Sequence, residues 1–549
     1  MTEPASNVAS CSGTSMEKSS SPPSEIAIGI DIGTSPCCVS VWNGSHVLVW
    51  DINEMMERLC INSNDHGFST EAALPDENVD TMSNMKSFFS MIFGEGTNFP
   101  FLMHTVDIKV RPFVAPFVKK LWKSTTAVEI LGKFMMELKS LVETRLKGPI
   151  SNVVFTVPVS FSQLQINRIH RACAMADLKV TKLMPQPTAV ALWYVYHQVQ
   201  PLASSHQDMD NESEKVALIF NMDAGYCDVA VIATEKRKIR IKALTGSTIG
   251  GEDLLGNMMF YHFHDSENIF TRDVRSETDI ISMASLRCGM QDLITDLSSE
   301  ESVRVDLNSV DGMEIHRYVT RKEFEDVNKE VFEKCESLII KCMKDAKIKA
   351  ENINDVIIVG GCCNIPKVQN LVKEICKVSE LYTGIDPLHA VLSGAAFAGA
   401  PKHPSDSLDL FTSQFTLFTV RVQSGSHGFV PIIPRNTSVP TWRDIVFRTI
   451  QDNQTQALIL VYEGDDILGH IVAHGIPEAP RGVPKVKISI AIDHTNRFTV
   501  NGSVEMPGSE PSAISVHGIW MAETNDGHVG WCDELLIRTY GHTFGYPLQ

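Results

Sequence analysis

A chain of 549 residues is too long for one hydrophobic core, so two or three domains are expected. Its 43% hydrophobic and 21% charged residues are those of an ordinary globular protein. A formal net charge of −18 argues against nucleic acid or an anionic membrane surface as partner, since the whole chain repels phosphates.

Residues 1–24 are rich in Ser and Pro, with acidic residues and no apolar run, and read as a disordered tail. The sequence IAIGIDIGTSPCCVSV at 26–41 reads as strand, tight turn and strand, with the turn at 31–34. Little can be assigned between 50 and 98. An apolar face through Leu131, Phe134, Met135, Leu138, Leu141 and Val142 predicts a helix over 125–147. A strand follows over 153–159, and Ser162 with Gln165 forms a capping box for a helix to about 176. A short strand at 180–184 meets Pro185 and Pro187, with a helix from there to about 194 and a polar loop over 200–214.

A second hairpin, VALIFNMDAGYCDVAVIAT at 216–234, closely parallels the first, with Gly225 available for positive φ at its bend. The two copies suggest halves of one fold facing each other across a cleft. A turn rich in backbone N–H groups at each strand end is a place to hold phosphates. Alternation over 238–244 leads into Gly246 and then Gly250-Gly251, where a helix opens. Thr320 and Glu323 cap one long amphipathic helix through Phe324, Val331, Cys335, Leu338, Cys342 and Ala346. A buried strand at 355–359 runs into Gly360-Gly361, a further helix follows Pro366, and Gly394-Ala395-Ala396 marks a helix whose backbone can be approached closely. Residues 401–411 read as a linker. Beyond it six strands, at 415–422, 429–433, 444–450, 457–462, 486–492 and 498–504, predict an all-β sandwich over 412–508. The remaining 509–549 shows no helical repeat. Thirteen cysteines are scattered, and neither adjacent pair, Cys37/Cys38 or Cys362/Cys363, has C-x-x-C spacing, so reduced thiols in the cytoplasm are expected. No run reaches the length of a transmembrane span.

Several of these stretches together resemble the seventy-kilodalton heat-shock chaperones, the DnaK-like family. They are IGIDIGTS, VVFTVPVSF, LMPQPTAVAL, ALIFNMDAGYCDVAV, IGGEDL and VIIVGGCCNIPKVQ, then PRNTSVPT, DNQ, VYEG and GIPEAPRGVP, in family order over about 26–508. The resemblance implies an α/β, actin-like two-lobed ATPase domain over 25–400, followed by the β-sandwich as a peptide-binding domain. It also implies ATP or ADP with Mg²⁺ as cofactor, and unfolded or extended apolar polypeptides as partners. The family's C-terminal helical lid is not expected here.

Carried over position by position, the resemblance places Asp31, Lys86 and Asp228 in the catalytic site, with Asp31 also near the metal. Gly33, Thr34, Ser35, Gly225, Gly250, Gly251, Ser298, Gly360 and Gly361 fall around the nucleotide. Departures cluster there too. The family's Asp-Leu-Gly-Gly-Gly-Thr turn is Asn221-Met222-Asp223-Ala224-Gly225-Tyr226, and Gln186 replaces a Glu before Pro-Thr. Gln291, Ile294 and Thr295 replace charged adenosine contacts, Cys362 and Asn364 replace Ser and Arg, and Ile166 replaces an Arg near the linker contacts. Two readings of the glycine turns stand: phosphate cradles, or hairpins that merely close the fold. In the sandwich Val422, Phe447, Ala457 and Ile459 fall at the family's peptide-pocket positions, or are plain core.

The leading expectation is a lidless chaperone binding exposed apolar segments, with ATP turnover weak or lost. The alternatives are a conventional ATP-driven chaperone and a non-enzymatic co-chaperone scaffold for another chaperone. A sugar-kinase relative of the actin-like fold is disfavoured by the C-terminal motifs.

Overall fold

The computed structural model describes residues 27–32, 37–42, 46–51, 103–106, 113–118, 121–122, 125–161, 163–204, 214–235, 238–262, 277–308, 314–400, 416, 418–424, 428–435, 437–464, 466–493 and 498–520. The expected N-terminal tail, the linker and the polar loop beyond residue 204 lie outside them.

The first hairpin is β1 (Ala27–Ile32) antiparallel to β2 (Cys37–Trp42), and β3 (Val47–Asp51) extends it. On its other edge β1 runs parallel to β8 (Asn152–Val157), which is parallel in turn to β9 (Lys179–Pro185). Between them β4 (Met103–Val106), β5 (Phe113–Val118), β6 (Leu121–Trp122) and β7 (Thr125–Thr126) form a small separate sheet. The second hairpin repeats the scheme. In it β10 (Lys215–Met222) is antiparallel to β11 (Cys227–Glu235) and parallel to β15 (Asp355–Val359), while β12 (Lys238–Ser247) extends the far edge. Two sheets of like topology, each hairpin joined to a parallel strand, are the two lobes expected from the paired motifs. Near-continuous burial along β8 and β10 is what parallel strands covered on both faces require.

Helices α1 (Ala127–Leu146) and α2 (Gln163–Met175) pack on the first sheet, where Leu131, Phe134, Met135, Leu138 and Val142 join the strand residues in one apolar cluster. Ser162 of the expected capping box lies outside the described residues. Helix α3 (Gln186–Ser204) runs ten residues beyond the expected end at Tyr194. It shares an apolar cluster with α9 (Ala390–Ala398) between the two sheets. The small residues expected to permit close approach do so: a Cβ on Gly394 would stand 1.9 Å from the Ala189 carbonyl oxygen.

The second lobe also carries α4 (Gly251–His262), α5 (Glu277–Ser299) and the hairpin β13 (Ser302–Asn308) with β14 (Glu314–Thr320). Thr320 caps as its spacing requires, its Oγ1 accepting the Glu323 N–H at 3.1 Å. The single long helix expected after it is broken into α6 (Arg321–Val327) and α7 (Lys329–Ala346). Buried Asn328 is the cause. Its Nδ2 donates to the Phe324 carbonyl and its Oδ1 accepts from Asn257 Nδ2, so a side chain competes for the helix ladder. Helix α8 (Pro366–Cys376) opens on its proline, as expected.

Beyond residue 416 the regular elements among the described residues are all β-strands. Strands β16 (Val420–Ser424), β17 (Gly428–Ile433), β18 (Thr441–Arg448), β19 (Gln456–Glu463), β21 (Lys485–Ile492) and β22 (Phe498–Glu505) answer to the six expected. Two more were not anticipated: β20 (Asp466–His474) and β23 (Ser512–Trp520). The order is β17-β16-β19-β20-β23-β22-β21-β18. The last strand pairs with both β20 and β22, so the sheet extends to Trp520, past the expected boundary at 508.

Candidate functional site

The strand ends of the two lobes meet in the cleft. Asp31 ends the pairing of β1 with β8, and its Oδ1 accepts from Thr156 Oγ1 at 2.6 Å and from Gln186 Nε2 at 2.8 Å. Gln186 opens α3, and its Oε1 accepts from Asn221 Nδ2 of β10 at 2.9 Å. The result is one hydrogen-bonded chain, Asn221–Gln186–Asp31–Thr156, with Thr156, Gln186 and Asn221 all buried. An amide suits position 186 because it donates to Asp31 at one end and accepts from Asn221 at the other, while Asp31 accepts from both its neighbours. One carboxylate with two amides finds its donors and acceptors within the chain, with buried Asn221 Oδ1 alone of the set left without a hydrogen bond among the described residues, where three carboxylates would need a cation between them. Among the described residues no group of three His, Cys, Asp or Glu could hold a metal ion.

The glycine turns are equally self-satisfied. The bend after β10 packs directly on Gly250-Gly251: Gly251 N–H donates to the Asp223 carbonyl at 2.9 Å and Glu252 N–H to the Ala224 carbonyl at 2.6 Å. Gly250 N–H donates to Asp253 Oδ2 at 2.7 Å, and burial still holds the Asp253 carboxyl above its ordinary range. Gly361 N–H, at the end of β15, donates to Asp223 Oδ1 at 2.9 Å. Gly250 is a glycine because a Cβ there would lie 2.3 Å from the Ala224 carbonyl oxygen, and Gly360 because its φ is +95°. Gly225 is different: it does not take the positive φ expected of it, and a Cβ there would meet nothing within 4 Å. Behind the turn Cys362 is buried with its Sγ towards the Asp223 carbonyl, and burial pushes the Cys363 thiol up to about 11.

The remaining described positions are Asp228, which pairs across from Asn221, and Ser298. Asp228 is wholly buried on β11, and its Oδ2 accepts the Val159 N–H of the first lobe at 3.0 Å. Ser298 turns back on its own helix to the Ile294 carbonyl, as Thr295 does to Gln291. Gly33, Thr34, Ser35 and Lys86 lie outside the described residues. Sequence reasoning missed Thr156, Asp253 and the Val159 amide. Asp253 carried a signal, an Asp three residues after Gly250 at a helix start, while the other two carried none.

A family model described as Hsp70 protein matches residues 27–519. The chain belongs to the Hsp70 family. It is 43% identical to "Heat shock 70 kDa protein 8" of Arabidopsis thaliana, over 99% of this chain and 98% of that one. It is 28% identical to "Heat shock 70 kDa protein" of Neurospora crassa, over 86% and 75% of the two chains. "Heat shock cognate 70 kDa protein 3" of Dictyostelium discoideum is 26% identical, over 91% and 80%. As an Hsp70-family chaperone the chain has its actin-like lobes joined to a β-sandwich. In that sandwich Val422, Phe447, Ala457 and Ile459 are at most 2% exposed and belong to one core cluster with Ile445, Ile471 and Ile488. The sandwich touches the second Hsp70 lobe through Arg435, which bonds Asp345 of α7 and Thr245 of β12. Among the described residues no helix is long and apolar enough to cross a membrane.

Proposed function

We propose that this Hsp70-family chaperone holds exposed apolar polypeptide segments, and that its cleft binds and turns over nucleotide weakly or not at all. The observation that supports this reading is the occupancy of the cleft's backbone donors by the chain's own oxygens, above all the Asp223 carboxylate on Gly361 N–H. The described residues fit magnesium triphosphate poorly. Asp31 is the carboxylate left beside two amides, and the Gln186 Nε2 and Asn221 Nδ2 donors are spent within the chain. The fixed charge of Asp223 beside a phosphate would cost about 1–4 kcal/mol per unit charge at near-contact distance. Asp228, assigned to the catalytic site by resemblance, accepts a backbone N–H and on this reading holds the lobes together. A cytoplasmic location accords with the free thiols of Cys38, Cys173, Cys227, Cys288, Cys335, Cys342, Cys362, Cys363 and Cys376.

Clients would be held in the sandwich at Val422, Phe447, Ala457 and Ile459, which a bound segment must expose by parting the strands around them. Calorimetric titration with Mg²⁺–ATP, paired with suppression of aggregation of a reduced, unfolded polypeptide, tests both halves. The expected result is suppression without measurable heat of nucleotide binding. The double variant Asp223→Gly with Asn221→Asp is expected to regain nucleotide affinity. Micromolar binding with turnover by the wild type would overturn the reading in favour of an ATP-driven chaperone. Neither binding nor suppression would favour a scaffold for another chaperone.

A further inference from the structure

Tyr226 follows the cleft bend of the second lobe, yet it is buried in the apolar cluster of the first. It is 3% exposed and packs with Ile28, Ile30, Phe155 and Phe161. Its ring meets Phe161 edge-on, with centroids 5.5 Å apart and planes at 73°. Among the described residues of that cluster it alone comes from beyond residue 178. Two residues on, Asp228 Oδ2 accepts the Val159 N–H, so a second bond crosses the cleft in the same short stretch. On the adjoining strand Gly246 leaves room both for the Asp228 carboxylate and for this approach: a Cβ there would stand 2.3 Å from Asp228 Oδ1, 2.9 Å from Val159 Cβ and 3.2 Å from Ser160 N.

The bend that carries Tyr226 is itself fixed at several points. Asp223 N–H donates to the Tyr226 carbonyl, the Asp223 carboxylate takes Gly361 N–H, and the Asp223 and Ala224 carbonyls take Gly251 and Glu252 N–H. A turn anchored on one side and inserted into the other lobe's core is the arrangement of a bolt in its keeper. Such an arrangement supplies from the chain the cross-cleft contacts that a ligand seated between lobes would otherwise provide.

We propose that the 223–228 segment is a built-in latch, Asp223 anchoring it and Tyr226 and Asp228 bridging the lobes, so that the cleft stands closed with no ligand in it. The proposal rests on the weak-nucleotide reading above and adds how the lobe arrangement is set. Closure becomes a fixed property of the fold, and the equilibrium between open and closed lobes is displaced towards closed before any partner arrives.

Hydrogen exchange of the full chain, read by mass spectrometry on peptides covering 153–161 and 216–229, tests the latch with and without saturating Mg²⁺–ADP. The expected wild-type result is slow exchange in both peptides, the same in either condition. Tyr226→Thr and Gly246→Ala, the second a wedge that displaces the Asp228 carboxylate and crowds Val159, should each speed exchange there about tenfold or more. Tyr226→Phe, which keeps the ring, should leave it unchanged. If Tyr226→Thr does not fold, Gly246→Ala and Asp228→Ala, which removes the acceptor for Val159 N–H, carry the test with the same readout. Ligand-free wild type exchanging as fast as the wedge variant, or slowing only when nucleotide is added, would overturn the latch. Calorimetry on the same samples separates the two readings. Nucleotide binding by a wild type that is already protected overturns the weak-nucleotide reading alone, and fast ligand-free exchange without binding overturns the latch alone.

Discussion

Gln186 donates to Asp31 and accepts from Asn221, a pair of duties an amide performs and a carboxylate cannot. Gln186→Glu would place a second carboxylate at hydrogen-bond distance from the first, with no donor between them, at a position 1% exposed. A buried like charge and a lost hydrogen bond together should lower stability by about 2–4 kcal/mol at neutral pH. Denaturant unfolding measures this directly, and a loss under about 0.5 kcal/mol, the scatter of ordinary surface substitutions, would refute the amide chain. The sequence showed that Asn221 and Gln186 had lost their charges, because both stand inside readable motifs. It did not show what they do instead. The Asp223 carboxylate reads in sequence as an intruder in a glycine turn, and its partner Gly361 N–H lies 138 residues away, beyond any local pattern. Tyr226 likewise reads as excess bulk, and its place in the first lobe's core is a property of the tertiary fold.

At the scale of elements, periodicity found most of what the fold needed. The paired hairpins, the strand at Asp355–Val359, the Thr320 cap and the Pro366 helix stand where expected, because each carries its own local signal. Strand β20 was missed because Gly469 and His470 interrupt its apolar run, and β23 because its alternation is faint. His470 deserves a test of its own on these grounds. It pairs with Leu460 and Ile519 in the middle of the sheet, is 7% exposed, and its Nδ1 has no hydrogen-bond partner among the described residues. Burial lowers its pKa from the ordinary 6.5. The folded sandwich therefore binds fewer protons at this site than the unfolded chain between the lowered pKa and about 6.5. Its stability contribution is fully present above about pH 6.5 and is lost as pH falls below it. Unfolding of the full chain from pH 7.5 down to about 5 should weaken less steeply in His470→Phe than in wild type, the difference isolating this histidine from the others. Equal slopes would show that His470 finds a partner in the folded state.

Across the whole molecule, the sandwich and the lobes meet through Arg435, which stands in the PRNTSVPT stretch but whose partners no local pattern shows. Arg435 follows β17, and its guanidinium bonds both the Asp345 carboxylate at the end of α7 and Thr245 Oγ1 on β12. Arg435 and Asp345 are 26% and 29% exposed, so the pair is partly withdrawn from water and is worth more than a surface ion pair. Thr245 lies one residue from Gly246, on the strand edge that closes against Val159, so the docking contact and the cleft share an element. Arg435→Ala should weaken docking by about 1–3 kcal/mol, a shift of about 5- to 150-fold towards separated domains, visible as a larger radius of gyration in small-angle scattering. Asp345→Arg should do the same, and the exchange Arg435→Asp with Asp345→Arg should recover part of the compact state, which neither single change can. If the cleft is held closed by the chain itself, Mg²⁺–ATP should leave the wild-type scattering curve unchanged. An expansion or compaction on adding nucleotide would instead mean that the strand carrying Thr245 and Gly246 still responds to the cleft, and that the domains remain coupled through it.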